Sequence, residues 1–389
     1  MNIKNISKKF LPIILAFTLI IASPSTLALG EVEQPQQMEQ AEQQEYNVKE
    51  ALTFLENLIK FVKLNYAYEV TEEQLVEGAI KGALSVLDGY SSYYTENEFK
   101  ELNETLSGEF GGIGVHITEK DGYILVVSPI KGTPGFKAGI LPEDLIVTVD
   151  DVDIKGFTTQ KAASLIRGEP GTTVKLGIRR NGEDKLLYFN LTRAIIEINP
   201  VEYEILKNNI GYIKITEFND HALENVIKVL GEFDNNKVKK VIFDLRNNPG
   251  GGLNEVLNIL RFLIPEGPLV HIRDANENIR TYNSYLDAPK YKLAVLVNGG
   301  SASASEIFAG AVQDRGVGTI IGTKTFGKGT VQTVLTLVNG GGLKLTTAEY
   351  LTPNKNPVNN VGIEPDIIVE NTTEEDLQLK KAIKILKEQ

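Results

Sequence analysis

The sequence predicts an α/β protein, in which a mixed sheet with helices against it is joined to a small β-rich domain and to N-terminal helices. Two observations support this fold class. After residue 200, β-branched runs alternate with amphipathic segments, which is the rhythm of a sheet covered by helices. Between residues 108 and 193, short β-branched runs alternate with Gly, Pro and Asp turns, a pattern typical of a small, partly open barrel.

The composition excludes several classes of function. The chain has 389 residues, a net charge of −11 and no cysteine. An acidic protein is a poor partner for nucleic acid, because phosphate neutralisation needs clustered Lys and Arg. Without cysteine there are no disulfides, thiol nucleophiles or thiolate metal sites. The length is enough for two or three domains.

Residues 1–28 have the composition of a signal peptide. Lysines precede an apolar run over residues 10–22, and small residues follow it. The alternative is an uncleaved anchor, but a spanning helix needs about 20 apolar residues, and Pro12 and Pro24 interrupt a run of that length. We therefore expect an exported protein that works outside the cytoplasm, at the cell surface, in a periplasm-like space or secreted. An uncleaved segment would keep it close to the membrane.

The segments that flank the two domains are a linker and helices. Residues 29–46 are rich in Gln and Glu and predict a disordered linker. In residues 47–95, apolar residues recur at helical spacing and predict two or three helices, one of them beginning at Thr71. Residues 374–389 predict an amphipathic helix that closes the chain. The apolar faces of these terminal helices pack either against the rest of the chain or against a second copy. The second alternative predicts a homodimer.

The segment from Lys292 to Asp314 is the first candidate for chemistry. A buried strand leads through a turn that contains Ser301 and Ser303 into a helix over Ala304–Asp314, whose second residue is Ser305. A hydroxyl at such a turn lies over N–H groups at the positive end of the helix dipole, and these groups can stabilise an acyl-transfer oxyanion. The run resembles the small-x-Ser-x-small elbow of hydrolases. Taken alone, however, serines at a helix N-terminus are usually caps.

A nucleophilic serine needs a base, and the best candidate is a lysine. The chain has three histidines, His116, His221 and His271, and none of them lies in a segment whose sequence indicates a catalytic histidine. Lys328 can act instead, because burial lowers the pKa of an amine towards neutrality. The glycines on either side of it let the backbone approach another segment closely. Gln332 shares a strand face with Lys328, and its neutral amide can hold the amine without raising the pKa as a carboxylate would.

Two further glycine-rich segments allow more than one interpretation. Gly322-x-x-x-x-Gly327-Lys328 matches most of a phosphate-binding P-loop, but Gly329 stands where that loop needs Ser or Thr, and a strand follows where it needs a helix. Nucleotide binding is therefore disfavoured. Residues 244–252, DLRNNPGGG, join a buried strand to a helix, and their N–H groups can serve an oxyanion or an extended substrate. A tight turn is the alternative.

Three segments together resemble those of the C-terminal processing (tail-specific) peptidases. They are DLRNNPGGG, NGGSASASEIFAGAVQD and TFGKGTVQT, in the order and spacing of that family. Residues 108–193 resemble its PDZ domain: FGGIGV at 110–115 is similar to the carboxylate-binding loop, and SPIKGTPGFKAGI is similar to a second motif. The resemblance implies a PDZ domain over residues 96–195 and a ClpP/crotonase-like peptidase core over residues 196–373.

The resemblance also implies roles for individual residues. Ser303 is the implied nucleophile, Lys328 the general base and Gln332 the residue that orients the lysine. The N–H groups that form the oxyanion hole are implied to be those of Ala304 and of either Gly250 or Gly251. Ser301 and Ser305 are alternatives that the spacing disfavours, and Asp314 is a weaker supporting candidate.

The implied activity is endoproteolysis through an acyl-enzyme, without metal or cofactor, on proteins or peptides with apolar C-termini. A PDZ domain binds such a tail as an added strand and holds its carboxylate with backbone N–H groups. Arg167 resembles a family position that links this domain to the core. The implied peptide-binding residues are Phe110, Gly111, Gly112, Ile113, Gly114 and Arg167.

Two rival functions fit parts of the sequence. One is an inactive PDZ scaffold, which the presence of Ser303, Lys328 and Gln332 disfavours. The other is a Ser–His hydrolase of related fold that uses His221 or His271.

Overall fold

The first helix and the remaining elements belong to different compact units of the chain. The computed structural model describes residues 47–389, and the chain divides after Asn65 into two compact units. Helix α1, Val48–Asn65, belongs to the first unit and has no buried residue. The predicted signal peptide and linker lie outside the described residues. Within residues 47–389, no helix combines the length and apolar character needed to cross a bilayer.

The second unit begins with two capped helices and a short strand. Helix α2 starts after Thr71, whose hydroxyl accepts the Gln74 N–H at 3.1 Å, while the Gln74 side chain accepts the Thr71 N–H at 2.9 Å. This confirms the predicted helix start. Helix α3 ends at Gly108, whose φ of +73° favours glycine. These elements are α2 Glu72–Ser85, β1 Ser92–Tyr94 and α3 Glu96–Ser107.

A small β-rich domain follows, with its own apolar core. Its main sheet has the order β3-β4-β5-β7-β8, so β3 is an edge strand, and α5 packs beside it. A separate ribbon, β2–β9, connects the start and end of the domain. The elements are β2 Glu109–Gly112, β3 Val115–Lys120, β4 Tyr123–Pro129, α4 Pro134–Lys137, β5 Leu145–Val149, β6 Val152–Asp153, α5 Thr159–Ile166, β7 Thr173–Arg179, β8 Leu187–Thr192 and β9 Ala194–Glu197.

The remainder forms a mixed α/β domain. Its main sheet has the order β10-β11-β12-β15-β16-β19, in which only the β10–β11 pair is antiparallel. Its elements are β10 Val201–Leu206, β11 Ile210–Ile215, α6 Ala222–Asn235, β12 Lys240–Asp244, α7 Leu253–Leu260, β13 Gly267–Asp274, β14 Ile279–Ser284, β15 Lys292–Val297, α8 Ala304–Asp314, β16 Gly318–Gly322, β17 Thr330–Thr336, β18 Gly342–Leu351, β19 Ile367–Ile368 and α9 Leu377–Glu388.

Helices cover both faces of this sheet. Because successive strand residues point to opposite faces, Val241 and Phe243 of β12 pack with α6, α7 and α8, whereas Ile242 packs with α9. The central strands β12, β15 and β16 are therefore apolar on both sides, which is why they appear in the sequence as nearly continuous apolar runs. The predicted fold class, an α/β protein with a mixed sheet, is confirmed.

A second sheet lies beside the first and was not predicted. It has the order β1-β18-β13-β14, and β17 also pairs with β18. Strand β18 is ten residues long and joins the β17 hairpin to β1, which comes from the beginning of the second unit. This pairing brings the segment before β1 to the candidate active site.

Candidate active site

The nucleophile candidate lies on a strained turn between β15 and α8. Ser303 has φ +55° and ψ −114°, a backbone conformation that residues with a side chain seldom adopt. The hydroxyls on either side are committed: Ser301 donates to the Leu245 carbonyl at 2.8 Å and Ser305 to the Asn248 carbonyl at 3.0 Å. Both serines are fully buried. The Ser303 hydroxyl donates to no residue in the described part of the chain, so it alone of the three is uncommitted.

A buried carboxylate connects this turn to the lysine segment. Glu306 is fully buried in the first turn of α8. Its Oε2 accepts the N–H of Ser303 at 2.8 Å and the N–H of Lys328 at 2.9 Å. Its Oε1 accepts the Thr325 hydroxyl at 2.6 Å and the Gly327 N–H at 2.7 Å. One oxygen atom therefore binds the backbones of both candidate catalytic residues.

The buried Tyr350 makes a second connection between the same two residues. Its hydroxyl lies 3.1 Å from the Ser303 carbonyl oxygen and also contacts the carbonyl oxygen of Lys328. Burial, the charge of Glu306 and a hydrogen bond to it raise the pKa of Tyr350 well above its ordinary value, so the hydroxyl stays a donor. Glu306 and Tyr350 together hold the two backbones at a defined separation.

The Lys328 amine is half-buried and has no acidic partner among residues 47–389. Burial lowers the pKa of Lys328, and the positive charge of Lys344 lowers it further, against a smaller opposite effect of Glu306 and Asp88. The Nζ atom lies 4.7 Å from the centre of the Tyr90 ring. The close backbone approach predicted for its glycine neighbours is present, since a Cβ on Gly329 would lie 2.1 Å from the Asn359 nitrogen.

Gln332 lies on β17, which begins at Thr330, two residues after Lys328. Its Nε2 donates to the hydroxyls of Thr330 at 2.9 Å and Thr346 at 3.2 Å. Both amide hydrogens are thereby used, and the amide oxygen is left to accept. Within the described residues, no hydrogen bond joins the Lys328 amine to this amide or to the Ser303 hydroxyl.

The glycine-rich loop lies against the nucleophile turn. A Cβ on Gly250 would lie 2.8 Å from the Ser303 Cβ and 3.0 Å from the Ala304 nitrogen. The Gly250 N–H already donates to the Asn248 side chain at 2.8 Å. The N–H groups of Gly251 and Ala304 make no hydrogen bond within residues 47–389. Of the two glycines considered, Gly251 is therefore the one with a free donor.

A groove of about 250 Å³ runs between β3 and α5 of the β-rich domain. The N–H groups of Ile113 and Gly114 make no hydrogen bond to the described residues, and Gly114 has φ +71°. Gly111 is not part of the lining; its carbonyl accepts the Gly168 N–H at 3.1 Å. Five of the six predicted peptide-binding residues line the groove: Phe110, Gly112, Ile113, Gly114 and Arg167.

Arg167 ends α5 and makes two contacts outside it. Its guanidinium lies 4.4 Å from the centre of the Phe110 ring, and its Nη1 lies 3.6 Å from a carboxylate oxygen of Glu104 in α3. The contact is thus to the helix that precedes the β-rich domain, rather than to the main sheet. A role in linking the domain to the core stays a prediction.

Known families match three consecutive parts of the chain. Peptidase family S41 matches residues 209–369, the PDZ domain matches residues 111–191, and the activating protease CtpB N-terminal domain matches residues 19–98. A carboxy-terminal-processing protease of Bartonella bacilliformis is 38% identical over 84% of this chain and 76% of its own length. Carboxy-terminal processing protease CtpB of Bacillus subtilis is 36% identical over 86% of this chain and 72% of its own length.

The chain belongs to the carboxy-terminal processing proteases of peptidase family S41. It is a serine-type peptidase with a PDZ domain, as the sequence motifs predicted. A solved S41 protease structure from Bacteroides fragilis has the same fold, with a TM-score of 0.52 and 17% identity over 85% of this chain and 97% of the other.

The histidines of this S41 peptidase have other partners. His271 is buried, with Nδ1 2.8 Å from the Thr281 hydroxyl and Nε2 3.1 Å from the Pro353 carbonyl. His221 lies 3.2 Å from a Glu109 carboxylate oxygen, at the start of α6. Both ring nitrogens of His271 therefore have hydrogen-bond partners, and His221 lies beside a carboxylate of β2.

Sequence reasoning missed the residues that hold the S41 site together. Glu306 carried a signal, because Ser303-x-x-Glu306 has the spacing of a capping box at a helix start. No sequence signal pointed to Tyr350 or Tyr90, because strand pairing between distant segments brings each of them to the site. Asp314 accepts the Asn354 N–H at 2.8 Å, which is a structural contact at the end of α8.

Proposed function

We propose that this S41 peptidase is an exported endopeptidase in which Ser303 is the nucleophile, Lys328 the general base and Gln332 the residue that orients the lysine. One observation carries the proposal. Ser303 has the only uncommitted hydroxyl of its turn in the described chain, and its N–H shares one oxygen of buried Glu306 with the N–H of Lys328. Burial, the first cause, lowers the pKa of Lys328 from its ordinary value, and this direction suits a base that must be neutral to act.

The reaction proceeds in two acyl-transfer steps. Neutral Lys328 takes the hydroxyl proton of Ser303 as Oγ attacks the scissile carbonyl carbon. The resulting ammonium gives that proton to the departing amine as the C–N bond breaks, which leaves an ester on Ser303. Water then attacks the ester with Lys328 again accepting a proton, and the acid product leaves as Ser303 recovers its hydrogen. Every proton that Lys328 accepts is thus passed on, first to the leaving amine and then back to Ser303, and the steps need no cofactor.

The free N–H groups of Ala304 and Gly251 are the proposed oxyanion donors. The Ala304 N–H lies at the N-terminus of α8, where the helix dipole favours negative charge. Gly251 has φ +140°, and its loop approaches the nucleophile turn closely. Donors of this kind act mainly in the transition state, so their loss should lower kcat rather than raise KM.

The PDZ domain is proposed to bind apolar C-terminal tails as an added strand on the free edge of β3. The groove beside that edge is lined mainly by aliphatic side chains, which suit an apolar tail. The N–H groups of Ile113 and Gly114 are the proposed ligands of the terminal carboxylate. A Cβ on Gly114 would lie 2.4 Å from the Thr133 Cβ, so this turn requires glycine.

The test compares peptides that differ only at the C-terminus, each with a free carboxylate or an amide. Wild type is expected to cleave the free apolar tails, with weaker binding of the amidated ones. Ser303→Ala and Lys328→Ala should lose at least about 10³-fold in kcat. Lys324→Ala is the matched control, because Lys324 is an exposed lysine on the same segment.

Three results would contradict the assignment. Full activity in either Ser303→Ala or Lys328→Ala contradicts a mechanism that uses the Ser–Lys pair. Loss of activity on changing His221, with Lys328→Ala still active, favours the Ser–His alternative. Equal binding of free and amidated tails removes the proposed carboxylate recognition.

Export is tested separately, by fusing residues 1–46 to a reporter enzyme that is active only outside the cytoplasm. Activity of the fusion is expected, and cleavage is read from the N-terminus of the mature product. A reporter that stays inactive and cytoplasmic contradicts export.

A further inference from the structure

A short segment outside the matched S41 residues reaches the lysine site. Residues 88–91 precede β1 and form a tight turn, in which Asp88 Oδ1 accepts the N–H of Tyr90 at 2.7 Å and of Ser91 at 2.6 Å. The Tyr90 ring lies over the Lys328 amine. The Ser91 hydroxyl accepts the Thr346 N–H at 3.0 Å, so the turn is attached to β18.

Thr346 lies between this turn and the amide that is proposed to orient the lysine. It pairs with Gln332 across β17 and β18, and its hydroxyl oxygen accepts a Gln332 amide hydrogen. A threonine hydroxyl has one hydrogen to donate. If that hydrogen went to the Gln332 amide oxygen, the amide would be reversed and its NH₂ group would face the lysine. The destination of this hydrogen, together with that of the Thr330 hydroxyl hydrogen, therefore decides which end of the amide Lys328 meets.

We propose that Asp88 is a positioning residue for Gln332, and that it acts by accepting the hydroxyl hydrogen of Thr346. Both N–H groups of the turn bind Oδ1, which leaves Oδ2 to accept from the two hydroxyls that lower the pKa of Asp88, first that of Thr346 and then that of Ser91. Thr346 is then only an acceptor towards Gln332, and the amide oxygen remains free for the Lys328 amine. This inference rests on the proposed role of Gln332 in the Ser–Lys mechanism.

The electrostatics of Asp88 agree with an acceptor. Burial by itself raises the pKa of Asp88, but hydrogen bonds from the Tyr90 N–H, the Thr346 side chain and Ser91 outweigh it and hold the pKa below its ordinary value. The side chain is thus ionised at neutral pH and cannot donate. Its charge lies near enough to Lys328 to favour the ammonium form, opposed by Lys344.

Asp88→Asn is the sharpest substitution. The Asn oxygen can keep the turn with Tyr90 and Ser91, while an NH₂ group replaces Oδ2. Thr346 then becomes an acceptor from residue 88 and a donor to the Gln332 oxygen, which reverses the amide. We expect kcat to fall about 10- to 100-fold, the range of one hydrogen bond to a charged group or a misplaced catalytic group, with KM nearly unchanged.

Thr346 provides the same test from the other end. Thr346→Val removes the hydroxyl and should lower kcat to a similar extent, whereas Thr346→Ser restores it and should recover most of the activity. Thr347→Val is the matched control on the same strand, because the Thr347 hydroxyl bonds to Thr333 at 2.8 Å instead. Thermal unfolding midpoints are measured for every variant to separate stability from activity.

A double-mutant cycle with Gln332→Ala decides whether Asp88 acts through the amide. In the Gln332→Ala background, Asp88→Asn should cost less than about twofold in kcat. A full, additive loss in that background overturns the relay, as does wild-type activity of Asp88→Asn or a loss confined to KM. Full activity of Gln332→Ala alone instead removes the proposed role of Gln332, so the two failures are distinguishable.

Discussion

Lys328 and Lys344 show how single charges set the working pH of the site. Burial lowers the pKa of Lys328 first, and the nearby ammonium of Lys344 lowers it further. Because the base must be neutral, activity should rise with pH through this pKa. Lys344→Met removes the repulsion and favours the ammonium form, so we predict that the rise in kcat/KM moves to higher pH. The measurement is a pH–rate profile; Lys344→Arg keeps the charge and should leave the profile in place.

Glu306 binds the backbones of both proposed catalytic residues, Ser303 and Lys328. It accepts four short hydrogen bonds, from Ser303, Thr325, Gly327 and Lys328, and a longer one from the Tyr350 hydroxyl at 3.4 Å. We predict that Glu306→Gln, which faces one pair of donors with an NH₂ group, costs about 1–3 kcal/mol of stability and about 100-fold in activity. The measurements are urea unfolding and peptide cleavage.

An exposed carboxylate away from Ser303 and Lys328 serves as the control for Glu306. Asp366 accepts the Ile320 N–H at 2.8 Å and has no contact with the catalytic pair. Asp366→Asn should lower stability with little change in kcat. A Glu306→Gln variant that keeps wild-type kcat would show that the backbone connection does not matter for catalysis.

At the scale of elements, the candidate site forms where the loop that follows β12 contacts the start of α8. Gly251 has φ +140°, and a Cβ there would lie 2.4 Å from the Phe218 carbonyl oxygen. We predict that Gly251→Ala displaces the loop and lowers kcat by about 10²- to 10³-fold, the cost of losing one oxyanion donor. Gly252→Ala is the neighbouring control, because Gly252 has φ −64° and its nearest contact would be 3.3 Å away. If the two substitutions lower kcat equally, the proposal that Gly251 is an oxyanion donor is wrong.

At the scale of the whole molecule, α1 carries an exposed apolar stripe. Phe54, Leu58 and Phe61 recur at helical spacing, and Phe54 and Phe61 are 68% and 63% exposed. We expect a second copy of the chain to cover this stripe. The predicted outcome is that Phe54→Glu combined with Phe61→Glu converts a dimer into a monomer by light scattering, whereas Thr53→Glu, off the stripe, does not. A monomeric wild type would contradict the prediction.

Much of the local structure followed from short-range patterns. The helix predicted over Ala304–Asp314 has these bounds in the structure, and the strand predicted over residues 210–215 is β11. The P-loop-like run ends in strand β17, as the alternating residues after Lys328 predicted. Each of these depends on backbone preferences that a few neighbouring residues set, and such preferences are visible in the sequence.

The second sheet and the details of the site depended on contacts between distant residues. Strand β1 pairs with β18 across about 250 residues, and only that pairing brings Asp88 and Tyr90 to Lys328. The side chains of Ser301, Ser303 and Ser305 are chemically identical hydroxyls. Ser303 is distinguished because loop carbonyls at residues 245 and 248 accept the other two hydroxyls.

The family, the fold class and the order of the catalytic candidates along the chain were thus contained in local motifs. Tertiary packing decided which hydroxyl is left free, which loop N–H remains without a partner, and how Glu306 and Tyr350 separate the two catalytic backbones. The reason is that a hydrogen-bonding group has a limited number of partners, and which of them it takes is settled only when segments remote in sequence meet.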